Sequence, residues 1–276
     1  MDYILKQAKA EHYAVGAFNV NTYDEMVAIA ETAEKLKLPV MMMASMSSAK
    51  FFGLKTFAGL CRVLDDQYSV PIISHLDHCT DPELLLQCVD AGFQSVMYDG
   101  SHGQYEDNVS KSAELAAYCH ARNVYLEAEL GVIAGEEGPV KSKYSVFTNP
   151  DYVKDFVDRT NVDSLAVSIG NAHGFYKGKP ELQFELLGKI AEKLRETPLV
   201  LHGGTGIPTE DLRRAIQMGI SKINVGTELR HTYVASLKSY VAQHQEDGDV
   251  RDFVKHLRCD VGASVEKYMS CFDCRA

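Results

Sequence analysis

Pro71-Ile72-Ile73-Ser74-His75-Leu76-Asp77-His78 opens as an apolar, β-branched run and closes on two histidines and a carboxylate. The first half reads as a buried strand, and a core strand would ordinarily stay apolar to its end. Side chains alternate along a strand, so His75 and Asp77 share one face while His78 lies at the exit, free to turn toward a metal. A pair of satisfied core histidines explains this stretch alone equally well. Two further segments tip the balance. Residues 164–174 form an apolar run ending in His173, and Pro198-Leu199-Val200-Leu201 runs into His202. A catalytic zinc site commonly uses three protein ligands that lie far apart in sequence and keeps a fourth position for water or substrate.

Outward from these stretches, the chain alternates β-like and α-like periods. A short amphipathic helix over residues 1–12 is placed to cover the bottom of a barrel. Strands are expected at Val15–Val20, Val40–Ser45, Pro71–His78, Ser95–Ser101, Val124–Gly131, Ser164–His173, Pro198–His202 and Ser221–Gly226. Apolar residues at helical spacing follow each one, for example over Tyr23–Lys37, Phe51–Asp66 and Tyr105–Arg122. Asp81-Pro82 supplies an N-cap and a first-turn proline. Eight βα units in one chain of 276 residues make a (β/α)8 TIM barrel the simplest α/β fold, as a single domain over 1–276 with a last helix near Val250–Met269 as a C-terminal extension. Residues 132–148, with Gly135-Glu136-Glu137-Gly138-Pro139, show neither period and read as a long functional loop.

The formal charge of −10 argues against a nonspecific nucleic-acid binder. Seven scattered cysteines form no disulfide framework, which suits a reducing cytosol. The first residues lack a signal-peptide core and no segment approaches a membrane span, so a cytoplasmic protein without a membrane partner is expected.

In such barrels chemistry sits at the C-terminal ends of the strands. Asn19, Ser45, Asp77, His78, Asp99, Glu129, His173, His202 and Asn224 all fall at that end. His78, His173 and His202 supply imidazoles for Zn2+, and Asp77 is placed to exchange a proton with a group held there. Glu127 and Glu129 share a strand face and, with Asp99, offer an outer shell or a second metal position. Gly203-Gly204-Thr205-Gly206 after the seventh strand, and Asn224 with Gly226-Thr227 after the eighth, lie where barrels bind phosphate through backbone N–H groups. A metal, a phosphate site and a proton-transfer carboxylate together suggest chemistry on a phosphorylated carbonyl compound.

Gly16-Ala-Phe-Asn-Val20, His75-Leu-Asp-His78, Asp99-Gly-Ser-His102, Glu127-Ala-Glu-Leu-Gly131, Ala172-His-Gly174, Leu201-His-Gly-Gly204 and Ile223-Asn-Val-Gly-Thr-Glu228 follow in order along the chain. With them it resembles the class II, zinc-dependent ketose-bisphosphate aldolases, the fructose- and tagatose-bisphosphate family. The resemblance implies that dihydroxyacetone phosphate binds Zn2+ through its ketone and hydroxyl oxygens. It further implies that Asp77 exchanges the C4-oxygen proton and Glu137 the C3 proton. Gly174, Gly203, Thr205, Asn224 and Thr227 match phosphate-binding positions, Gly174 and Gly203 also serve a monovalent cation such as Na+ or K+, and Arg230 matches a position for the far phosphate. Thr205 stands where the family usually has serine. Gly226 stands where fructose enzymes commonly carry aspartate and tagatose enzymes alanine, which leaves the C4 stereochemistry open with a slight lean toward tagatose. The resemblance implies a homo-oligomer, either a dimer or a tetramer. The expected activity is reversible cleavage of a ketose 1,6-bisphosphate to dihydroxyacetone phosphate and an aldehyde such as glyceraldehyde 3-phosphate. The alternatives are a class II aldolase with another aldehyde partner and a zinc-dependent barrel hydrolase, which would not need the glycine-rich anion loop.

Overall fold

The computed structural model describes residues 2–137, 140–142, 145–176, 178–244 and 249–275. Its strands in chain order are β1 (Val15–Asn19), β2 (Val40–Ser45), β3 (Ile72–Cys79), β4 (Ser95–Tyr98), β5 (Tyr125–Leu130), β6 (Gly135–Glu137), β7 (Val140–Ser142), β8 (Ser164–Val167), β9 (Leu199–Leu201) and β10 (Ile220–Val225). The helices are α1 (Asp2–Ala10), α2 (Tyr23–Leu36), α3 (Met46–Phe52), α4 (Leu54–Gln67), α5 (Pro82–Ala91), α6 (Tyr105–His120), α7 (Pro150–Thr160), α8 (Phe184–Lys193), α9 (Thr209–Gln217), α10 (Thr227–Gln243) and α11 (Val250–Phe272). All strands but β6 and β7 pair in parallel and close into a barrel in the order β1-β10-β9-β8-β5-β4-β3-β2. The expected (β/α)8 TIM barrel is therefore present, with α1 and α11 as its extensions.

Period-two alternation sorts each strand between two layers. On β2, Met41 and Met43 point into the barrel while Val40, Met42 and Ala44 join the layer under the helices. That outer layer holds the large aromatic side chains Phe18, Phe57, Phe93 and Phe156, each fully buried. Burying one of these contributes about 1.5–3 kcal/mol. The barrel interior grades from apolar to polar. Val15, Met41, Ile73 and Tyr125 fill its lower end, where Leu5 and Ala8 of α1 cover them. One or two inward positions further along the same strands stand Asn19, His75, Asp77, Glu127 and Glu129. The sequence thus spends its hydrophobic residues at one end of the cylinder and its ionisable ones at the other.

Local signals read from the sequence work as expected at α5, where Asp81 caps the backbone N–H groups of Glu83 and Leu84 and Pro82 sits in the first turn. Three expectations need correction. The helix expected at Phe51–Asp66 is two helices, α3 and α4, broken at Gly53, whose φ of 83° interrupts helical geometry. The segment at 132–148 is not structureless, because β6 and β7 pair antiparallel in it. The third concerns His173. β8 ends at Val167, and His173 lies in the loop beyond it. Gly170 at φ 101° turns the chain, and Asn171 fixes the turn by accepting from the Ile169 N–H at 2.9 Å. His173 is then tied to the loop after β5, its N–H donating to the Ala134 carbonyl at 2.8 Å.

Candidate active site

β3 delivers two successive residues to the same side, which a regular strand cannot do. Between the pairs Leu76↔Val96 and Cys79↔Tyr98, β3 takes three steps while β4 takes two. The extra residue is a bulge, and His78 adopts φ 45°, in the left-handed region. That conformation costs a non-glycine residue roughly 1–2 kcal/mol. In return, Asp77 and His78 both face the upper barrel interior, the kind of strain that gathers at functional sites.

Three imidazoles meet there. The ring centroids of His78 and His202 lie 4.4 Å apart, those of His78 and His173 4.7 Å, and those of His173 and His202 6.1 Å. One ring nitrogen from each falls within 4.8 Å of the others. His78 Nε2 and His202 Nδ1 are 2.6 Å apart. The opposite nitrogens of these two rings face carboxylates, His78 Nδ1 with Asp99 Oδ2 at 3.1 Å and His202 Nε2 with Glu127 Oε1 at 2.8 Å. If each carboxylate takes an N–H, the two facing nitrogens both present lone pairs. Something positive must sit between them, a proton or a metal ion.

The electrostatics agree. Burial works against a charge on His78, but Asp77, Asp99 and Glu129 outweigh it and push its pKa up to about 10. Burial and the His78 charge lower His173 to about 3, and the same two influences hold His202 well below the usual range. Burial alone would raise the Asp99 carboxyl, yet its contact with His78 and the hydroxyl and N–H of Ser101 keep it well below normal. Glu129, buried beside Asp99, is held well above its ordinary value. Its Oε2 has no hydrogen-bond partner among the described residues and points between His78 Nδ1 at 3.8 Å and His202 Nδ1 at 3.9 Å. A buried orphan oxygen beside converging imidazoles fits a divalent cation, and His78, Asp99 and Glu129 form a second group of matching compactness.

Asp77 is built differently. Its Oδ2 accepts from Asn19 Nδ2 at 2.8 Å and its Oδ1 from Asn224 Nδ2 at 3.1 Å. Burial would raise its pKa, but the charges of the neighbouring histidines and Lys222 and the Asn19 amide bring it below the ordinary carboxylate range. Asp77, His78 and His173 line one cavity together with Asn19, Gly174, Gly203, Thr205, Asn224, Gly226 and Thr227. Gly203, at φ 66°, brings its backbone so close to the Ala172 carbonyl that a Cβ would lie 2.1 Å from that oxygen. Gly226 is the cap residue of α10 and has no side chain to close its first turn, where the Glu228 N–H donates to Thr205 Oγ1 at 3.3 Å. A positive dipole end, the Thr205 hydroxyl beside it and glycine backbone without side chains make an anion cradle.

Ser45 and Arg230, expected at the substrate, do not line this cavity. The Ser45 hydroxyl instead accepts from the Ser48 N–H at 3.3 Å and caps α3, and Arg230 is exposed on α10. Glu137 belongs to β6, and its side chain lies outside the described residues. Sequence reasoning missed Lys222. It is fully buried and its Nζ donates to Glu127 Oε2 at 2.8 Å. The signal was its place two residues before Asn224 on β10, which puts both on the inward face.

The chain is similar to known proteins over nearly its whole length. The family model described as Fructose-bisphosphate aldolase class-II matches residues 1–276. A fructose-bisphosphate aldolase of Geobacillus stearothermophilus is 40% identical over 268 residues, covering 96% of this chain and 93% of the relative. Among solved structures, the YdjI aldolase of Escherichia coli K12 superposes with a TM-score of 0.85 at 29% identity over 99% of this chain and 96% of its own. The fructose-bisphosphate aldolase of Campylobacter jejuni does so with a TM-score of 0.85 at 26% identity, over 99% and 94%.

Proposed function

Because the chain belongs to the class-II fructose-bisphosphate aldolase family, a family of lyases, we propose that it cleaves a ketose 1,6-bisphosphate reversibly. The products are dihydroxyacetone phosphate and an aldehyde such as glyceraldehyde 3-phosphate. The observation that carries this reading is a cluster of three imidazoles, two of which line one cavity with the Asp77 carboxylate and a helix-terminal anion cradle. His78, His173 and His202 are the proposed metal ligands, and an all-imidazole set makes Zn2+ the expected ion, with Asp99 and Glu129 as a second position. When bound, such an ion supplies Lewis acidity, drawing off negative charge as the substrate loses a proton or its C3–C4 bond breaks.

The remaining steps belong to the chain's own groups. Asp77 is proposed to exchange the proton of the C4 hydroxyl. The two asparagine amides hold it in one orientation, and its lowered pKa keeps it ready to accept. Glu137 is proposed to move the C3 proton of dihydroxyacetone phosphate. In support, Gly135 two residues earlier packs so tightly on His173 that a Cβ there would lie 2.4 Å from its carbonyl oxygen, which starts the β6–β7 hairpin beside the histidines. Gly174, Gly203, Thr205, Asn224 and Thr227 are proposed to bind a phosphate, with Na+ or K+ beside Gly174 and Gly203, and Arg230 the far phosphate. Asn224 Oδ1, buried and without a partner among the described residues, offers an acceptor to a substrate hydroxyl.

Assembly as a homodimer or homotetramer is part of the proposal, supported by the exposed stripe Val234, Leu237 and Val241 on α10. A cytoplasmic site of action suits the free cysteines.

Gly226 bears on C4 specificity. A Cβ there would lie 2.4 Å from Asn19 Oδ1, so a side chain at 226 and the present seat of Asn19 exclude each other. With no side chain at 226 to read the C4 hydroxyl, fructose and tagatose 1,6-bisphosphates are expected to be cleaved with kcat/KM values within about tenfold of each other, a difference under about 1.4 kcal/mol. A chelator should abolish both activities and zinc restore them. Chelator-insensitive cleavage, or cleavage of neither sugar, would contradict the proposal. Gly226→Ala should displace Asn19 from Asp77 and lower kcat about tenfold or more, the worth of one hydrogen bond to a charged group. Steady-state kinetics at wild-type level would count against that role for the Asn19–Asp77 contact.

A further inference from the structure

Below the histidines the barrel holds an ammonium group that the proposed chemistry does not use. Lys222 on β10 is wholly buried, where an unpaired charge would be very costly. Its Nζ donates to Glu127 Oε2 at 2.8 Å, and Ser164 Oγ reaches the same oxygen at 3.4 Å. On its other side Lys222 Nζ lies 3.4 Å from His75 Nε2, and His75 Nδ1 meets Ser95 Oγ at 2.6 Å. One oxygen of Glu127 is thus anchored from below. The other, Oε1, lies 2.8 Å from His202 Nε2.

A carboxylate kept ionised by an ammonium on one oxygen can only accept through the other, so His202 must carry its proton on Nε2 and turn the Nδ1 lone pair toward His78 and His173. We propose that Lys222 is a positioning residue: through Glu127 it fixes the tautomer and ring orientation of His202, and with them the divalent-cation affinity of the three-histidine cluster. This inference rests on the metal-binding reading above. A role confined to stability is the weaker account, because replacing both members of a buried ion pair by apolar residues is often neutral or stabilising.

The test reads two quantities. Chelator competition gives the Zn2+ dissociation constants of the full-length wild-type protein and Lys222→Met. Histidine-selective 15N labelling reads the His202 tautomer in the metal-free wild type. The expected results are an Nε2–H tautomer in the wild type and zinc binding about 10–100-fold weaker in Lys222→Met, the usual cost of losing an outer-shell partner. If Lys222→Met does not fold, Glu127→Leu/Lys222→Met leaves no unpaired charge and should show the same weakening. An Nδ1–H tautomer in the wild type, or a folded variant that binds zinc within about twofold of wild type, a difference under about 0.5 kcal/mol, would overturn the inference. Failure of the metal reading itself looks different, since the wild type would then bind no zinc.

Discussion

Asp77→Ala is expected to lose nearly all turnover while keeping its metal. Among the groups at the cavity, Asp77 is a carboxylate gripped by two amides and held below its ordinary pKa. It lies outside both compact groups of candidate metal donors. Removing a positioned proton-transfer group costs on the order of 10²–10⁴ in rate. The substitution also strands the Asn19 and Asn224 amides, at about 1–3 kcal/mol of stability. The barrel should tolerate that loss, because the fully buried Phe18, Phe57, Phe93 and Phe156 belong to the layer between strands and helices and not to the barrel interior. Steady-state cleavage assays beside metal analysis decide the matter. Turnover near wild type would remove Asp77 from the chemistry, and loss of zinc together with turnover would make it part of the metal centre instead.

His202→Ala should do the reverse, losing the metal first and activity as a consequence. The imidazole stands between His78 Nε2 and Glu127 Oε1, so its loss deletes one ligand and leaves Glu127 Oε1 without its donor. The drop in zinc affinity should exceed the roughly 10–100-fold that an outer-shell change costs. Zinc content after dialysis and chelator competition measure it, and a fully loaded, active variant would exclude His202 as a ligand.

Much of this site is legible in the sequence, for a definite reason. A strand in a barrel alternates faces, and its C-terminal end meets the mouth. Polar residues at the ends of several predicted strands could therefore be assembled by counting, which brought Asp77, His78, His202 and Asn224 together correctly. Where the backbone leaves regular geometry, counting fails. His173 was placed at a strand end although the turn at Gly170 and Asn171 carries it into a loop, where the bond to the Ala134 carbonyl holds it. The bulge that turns His78 inward beside Asp77 follows from a mismatch between two strands, which neither strand's sequence contains. Ser45 ends β2 level with Asp77 on β3, and its hydroxyl also caps α3, a second role that a strand-to-helix junction gives it. Lys222 went unread because a lysine in a short strand is expected to reach solvent, and only the partner on β5 explains why it stays inside.

The central claim is that three imidazoles from distant parts of the chain share one ion. Crystals of the zinc-loaded protein, with an anomalous difference map collected at the zinc edge, test it most directly. A single strong peak is predicted about 2.0–2.1 Å from one nitrogen each of His78, His173 and His202. A peak bound away from these rings, or none among them in protein that carries zinc in solution, would contradict it.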